Sequence, residues 1–257
     1  MTDSTPSTSF LTIDDQPISI AQAIRYLQMG RKFDGFIGEI LRQFVLEREV
    51  NSRKDIAVSP AVIEQAMVDF RLQNKLTDPQ QFQEWLSANG MDYEAFHTQV
   101  SAGFKLKKLK DAIALPKLQE HFIERKVFLD RVVLSRIIVN EQDVAEELKT
   151  QITEGSASFE ELAREYSLTD DKVVNGMVGP VSRGSMPDML RSAIDAASPG
   201  DVVGPLCMEE RWGLFRVEEF LPATLEDAKL KQSLLDELFE QWLSETMQTL
   251  PIKLQVK

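Results

Sequence analysis

The chain has 257 residues, 43% of them hydrophobic and 27% charged, and its 41 acidic against 29 basic side chains give a net charge of −12. This composition excludes a disordered or fibrous chain, and the negative balance argues against neutralising nucleic-acid phosphates or docking on anionic lipid. One cysteine, Cys207, and two histidines, His97 and His121, make neither an intrachain disulfide nor a Cys/His zinc site, so no structural metal is expected.

The opening MTDSTPSTSFLTIDDQ is polar and acidic and lacks the basic and apolar regions of a secretory leader, which predicts a cytoplasmic protein. No window approaches the ~18 apolar residues of a membrane span. LTID reads as a short strand. Ser19 with Gln22 forms a capping box ahead of a helix over IAQAIRYLQM. Residues 32–50 carry Phe33, Phe36, Ile37, Ile40, Leu41, Phe44 and Leu46 at helical spacing. Ser59-Pro60 opens a third helix through Asn74, and Asp78-Pro79-Gln80-Gln81 supplies the cap, N1 proline and capping glutamine of a fourth, stopped by Gly90. A fifth, over 92–113, is expected to end near Pro116.

Around Asp130 the period changes. RVVLSRIIV is β-branched and predicts a strand, Glu141 to Thr150 a helix, and Ser158 with Glu161 caps FEELAREY. A Gly/Pro-punctuated stretch from Thr169 to Gly184 leads to a helix near Met186–Ala196 and to two strands, VVGPLCM and RWGLFRVEEF. Thr224 with Asp227 opens a last helix through Thr249. Its apolar face (Leu230, Leu234, Leu238, Phe239, Trp242, Leu243) needs a partner, which the N-terminal helices can supply. The expected fold is therefore α+β. A helical domain is built from both chain ends (1–129 and 222–257), with a module of small antiparallel sheet and flanking helices (130–221) inserted. LTID and KLQV are expected to pair as edge strands.

Five segments of the middle module line up in order with one family. Arg136-Ile137-Ile138-Val139 stands for a His-Ile-Leu-Val strand, and Phe159-Glu160-Glu161-Leu162-Ala163 with Ser167 for an F-x-x-L-A-x-x-x-S helix. Asn175-Gly176-Met177-Val178-Gly179 stands for a GG-x-L-G loop, Arg183-Gly184-Ser185-Met186 for an R-G-x-M turn, and Gly204-Pro205-Leu206 for a G-P-V strand. The module thus resembles the parvulin (PpiC-type) peptidyl-prolyl cis-trans isomerases. The flanks are similar to those of SurA-like, PrsA-like and NifM-like chaperone foldases.

The resemblance implies a site without metal or cofactor that acts on unfolded or proline-containing polypeptide. Crossing the X-Pro barrier of roughly 18–20 kcal/mol needs a grip on the pyrrolidine ring and an environment that favours the twisted amide. The family's Leu, Met and Phe pocket carries over to Val178, Met186 and Leu190. Its paired histidines carry over to Arg136 and Gly213, and its Cys or Asp to Thr169. Asp170 can replace the acidic group, and Ser135 and Thr169 can supply hydroxyls. Arg136 cannot share a proton as an imidazole does, so weak catalysis is expected, with a non-catalytic holdase or a maturation factor for one partner as the alternative. Read without the family, Val178, Met186 and Leu190 are core residues, Arg136 is a surface ion-pair partner, and Thr169-Asp170 is an exposed turn. Trp212 and Phe215 then read as sheet packing and Cys207 as a buried small hydrophobe. The run Phe104–Lys110 reads as a solvated basic face, and the surplus aromatics of the first hundred residues as lining for a client groove.

Overall fold

The structure is a computed structural model and describes residues 9–254. It forms two compact units. One comprises the chain up to Leu118 together with the chain from Leu235 onward, and the other is Gln119–Leu234.

The first unit opens with β1 (Ser9–Ile13) and β2 (Gln16–Ser19), joined through Asp14 and Asp15 at φ 48° and 59°. Two left-handed residues match the twist of a two-residue hairpin, so β1 pairs locally with β2. Of the expected partner KLQV, Lys253 and Leu254 carry no regular structure, and Gln255 and Val256 lie outside the described residues. Helix α1 (Ile20–Met29) starts on the expected box, in which the Gln22 amide donates to Ser19 Oγ and the Ser19 amide to Gln22 Oε1. Then come α2 (Phe33–Ser52), α3 (Pro60–Gln73), α4 (Pro79–Ala88) and α5 (Tyr93–Leu129).

Helix α5 does not end at Pro116 as expected but continues to Leu129. An interior proline costs about 3 kcal/mol. Ala114 and Leu118 on either side are 0% and 6% exposed, and that burial keeps the helix going. The last helix, α9 (Ala228–Gln248), is capped by Asp227, which accepts from the amides of Lys229 and Leu230. In the first unit its Phe239 and Leu243 pack with Val45, Ile56 and Leu109. A second cluster joins Ile63 and Met67 of α3, Phe82 and Leu86 of α4, and Phe96 of α5.

The second unit holds β3 (Arg131–Val139), α6 (Gln142–Glu154), α7 (Phe159–Tyr166), β4 (Met177–Ser182), α8 (Asp188–Asp195), β5 (Val202–Met208) and β6 (Arg211–Leu221). The sheet order is β4-β3-β6-β5, antiparallel throughout. Strand alternation divides β3 between two cores. Val132, Leu134 and Ile138 pack with Leu190 and Ile194 of α8. Ile137 and Val139 pack with Leu148 of α6 and Leu162 of α7. Cys207 on the edge strand β5 is exposed, not buried as expected, because its neighbours Leu206 and Met208 face the core and alternation turns Cys207 to the other side.

Where β3 begins, Asp130 is 7% exposed and gathers three segments of this unit. It accepts from Lys126, from Arg183 Nη1 at 3.3 Å and from the Ala223 amide at 2.8 Å, while its carbonyl accepts from the Arg183 amide at 3.0 Å.

Candidate functional site

Beyond Ser135, strand β4 no longer follows β3, and the segment 167–176 takes over that edge. The Arg136 amide donates to Gly176 O at 2.8 Å, the Ile138 amide to Ser167 Oγ at 3.2 Å, and the Leu168 amide to Ile138 O at 2.9 Å. These bonds satisfy backbone groups the sheet has left open. They also fix the loop tightly. Gly176 has φ +77°, and a Cβ there would stand 2.3 Å from Arg136 O and 3.2 Å from Ala163 Cβ.

Pinned in this way, the loop delivers a polar chain to Arg136. Arg136 Nε donates to Asp171 Oδ2 at 2.7 Å, Thr169 Oγ1 donates to Asp171 Oδ1 at 2.6 Å, and the hydroxyls of Ser167 and Thr169 lie 3.0 Å apart. The Asp171 side chain is 13% exposed and that of Arg136 36%. Thr169 has its proton committed, Arg136 is a fixed cation, and neither acts as a proton shuttle near neutral pH. Arg136 retains partly exposed N–H donors for a carbonyl.

The acidic partner is therefore Asp171 and not Asp170, the exposed first residue of the 3₁₀ turn Asp170–Val174. Ser167 and Thr169 are extended, at ψ 136° and 154°. In extended backbone alternate residues share a side, which brings the Ser167 and Thr169 hydroxyls together, whereas Asp171 is placed by the 3₁₀ turn that follows.

Ser135 is separated from this group, because neighbours on a strand face opposite ways. It is 1% exposed and donates to Glu218 Oε1 at 2.6 Å. Arg216 joins that second network, with Nε 2.8 Å from Glu218, Nη2 2.7 Å from Glu160 and the guanidinium 4.7 Å over the Phe159 ring. The hydrogen bond from Arg216 holds the Glu160 carboxyl below its ordinary range.

The three expected pocket residues divide. Met186 and Leu190, 6% and 7% exposed, meet in one cluster with Ile138 and Phe215, whereas Val178 on β4 is 39% exposed and outside that cluster. Met186 and Leu190 are thus largely covered by neighbours, while Val178 stands more open. Phe215 on β6 packs in the same cluster and pairs in register with Arg136. It also accounts for Gly213, where a Cβ would lie 2.6 Å from Phe215 Cε2, 2.8 Å from its Cζ and 3.0 Å from Ile138 Cδ1. Gly213→His is accordingly expected to destabilise this unit by about 1–3 kcal/mol through overpacking. Thermal melting equal to that of the unsubstituted chain would contradict it.

In the first unit, the rings of Phe70, Phe82, Trp85 and Phe96 cluster in mostly tilted and edge-on contacts, Phe70 lying 5.1 Å from Trp85 and 5.0 Å from Phe96. Phe36 and Phe44 on α2 are 44% and 53% exposed. No described helix is long and apolar enough to cross a membrane, and no three described His, Cys, Asp or Glu residues are grouped to hold a metal ion.

The family profile described as "Rotamase: PPIC-type PPIASE domain" matches residues 138–219. Foldase protein PrsA 2 of Listeria innocua serovar 6a is 27% identical over 149 residues, covering 56% of this chain and 49% of that protein. The chain thus spans about half the length of the curated relative it matches. Among solved structures, the peptidylprolyl isomerase (PrsA) of Bacillus cereus aligns over 98% of this chain and 95% of its own, at 18% identity and a TM-score of 0.44. NmPin, the parvuline of Nitrosopumilus maritimus, aligns over 35% of this chain and 97% of its own, at 23% identity and a TM-score of 0.32.

Proposed function

We propose, for a chain that carries a PpiC-type domain and is homologous to the PrsA foldases, a parvulin-type foldase that holds unfolded or proline-containing polypeptide and isomerises X-Pro bonds weakly. The observation that carries this reading is the Arg136–Asp171–Thr169 group. It puts a committed ion pair on positions to which the resemblance assigns a proton-sharing set. A fixed cation can hold the carbonyl of a bound segment, but it does not trade protons as the amide twists. Binding therefore outlasts catalysis. The second reading, a holdase without catalysis or a maturation factor for one partner, is favoured by the Phe215 ring filling the space beside Gly213.

Two measurements on the whole chain test this. One is NMR exchange of an X-Pro tetrapeptide, which uncatalysed takes tens to hundreds of seconds. The other is light scattering of citrate synthase unfolding at elevated temperature. The expected result is suppressed aggregation at near-equimolar ratio with a slight acceleration of exchange. Suppression with no acceleration selects the holdase, and absence of both overturns the proposal. Truncating Met186 is a poor probe, since a core Met→Ala change costs about 2–5 kcal/mol and confounds activity with stability.

A further inference from the structure

We infer that Asn175-Gly176, in the loop that carries Asp171, is a self-modification site: a succinimide forms there and opens to aspartate or isoaspartate, at a rate set by how firmly the loop is held to Arg136. The inference does not depend on the foldase reading.

The fold's own demands bring the pair together. Asn175 closes the 3₁₀ turn in the left-handed region, at φ 62° and ψ 30°, which asparagine tolerates better than most side chains. Gly176 follows because the Arg136 carbonyl oxygen would stand 2.3 Å from any Cβ at that position. Asparagine followed by glycine is also the pair in which a peptide nitrogen most readily reaches the side-chain amide, since no second side chain obstructs the approach. The Gly176 nitrogen attacks Asn175 Cγ, the Cγ–Nδ2 bond breaks, and ammonia leaves with the proton of the Gly176 amide. Water then opens the ring. Addition at Cγ gives aspartate, and addition at the main-chain carbonyl of residue 175 gives isoaspartate, whose backbone runs through Cβ and Cγ.

The chain has two Asn-Gly pairs, and the structure holds them differently. At the end of α4 both reacting groups are engaged: the Gly90 amide donates to Ser87 O at 3.0 Å, and Asn89 Nδ2 donates to Trp85 O at 2.8 Å. The Asn175 side chain, in contrast, is exposed and makes no hydrogen bond among the described residues. Only the nucleophile is restrained there. The Gly176 amide donates to Asp171 O at 2.9 Å, its carbonyl accepts from the Arg136 amide at 2.8 Å, and the Arg136–Asp171 ion pair closes the same loop. Attack therefore waits on local opening.

The product keeps the loop open. Isoaspartate adds one backbone atom between the Asn175 amide, which donates to Lys172 O at 3.1 Å, and the two bonds of Gly176, and these contacts leave no slack for it. The new carboxylate also joins Asp170 and Asp171 in a turn with Lys172 as its one cation. A single modification thus frees Asp171 from Arg136 for the life of the molecule.

Peptide mass spectrometry of the whole chain, incubated in mildly alkaline buffer with and without concentrated urea, follows both pairs. Folding is expected to slow conversion of Asn175 about tenfold or more relative to urea. Asp171→Ala should restore most of that rate at Asn175 and leave Asn89 at its folded rate. A rise at both sites would mean global opening, and Asp171→Asn, which keeps the side-chain volume and a carbonyl acceptor for Thr169, then decides in the same way. Equal conversion of Asn175 with and without urea, or no acceleration confined to Asn175 in either variant, overturns the inference. The isoaspartate form, separated by anion exchange, should be cut near Lys172 many times faster than the unmodified chain, and equal resistance would overturn the claim that the loop stays open.

Discussion

Asp130→Ala is expected to lower the stability of the sheet-bearing unit by about 1–3 kcal/mol, the range for leaving a buried donor without its partner. The carboxylate is 7% exposed and holds Lys126, Arg183 and the Ala223 amide. Removing it leaves the half-buried Ala223 amide without its acceptor where β3, β4 and β6 meet, while Arg183 keeps Asp195 and Lys126 keeps the Ala223 carbonyl. Hydrogen exchange of β3 and β6 amides is the measurement, and a loss below about 1 kcal/mol would reduce the cluster to the rank of a surface pair. Burial works to raise the Asp130 carboxyl, but the hydrogen bonds from Lys126 and the Ala223 amide and the charge of Arg183 outweigh it and hold the group below its ordinary range. A carboxyl lowered on folding contributes stability above its unfolded value of about 3.9 and loses it as pH falls through the folded value. The difference between the two proteins should therefore be full at neutral pH and close in acid below about pH 4.

Gly176→Ala should cost about 2–4 kcal/mol, from a left-handed φ and from a methyl driven against a backbone oxygen that has no rotamer to escape into. The damage should be local before it is global. Gly176 bonds both ways, its carbonyl to the Arg136 amide and its own amide to Asp171 O, so the loop 170–176 is expected to detach and carry Asp171 away from Arg136. Limited proteolysis should then cut near Lys172 and Val173 many times faster than in the unsubstituted chain. Equal resistance would show that the loop has another anchor.

Local chemistry made much of the fold readable. Ser19 with Gln22, Asp78-Pro79 and Ser158 with Glu161 each open the helix that their capping chemistry implies, because a cap is decided within four residues. What escaped was decided at longer range or by a single turn. Pro116 stays inside α5 because burial on both sides offsets the lost bond, a balance that no local pattern reports. Asp170 and Asp171 are chemically identical neighbours, and only the onset of a 3₁₀ turn determines which one faces Arg136. Arg136, Thr169, Met186 and Leu190 were found through the family's alignment. Ser135 falls outside the group because nearness in sequence on a strand places it on the opposite face, whereas Phe215 is packing as expected and also explains its neighbour Gly213.

The crowding between positions 213 and 215 makes these two sites answer to one another. Substitutions there are not independent. An imidazole introduced on β6 is expected to cost less after the ring at 215 has been made smaller than before, since the reverse sequence passes through an overpacked intermediate. The order of the steps then sets how much stability each one costs.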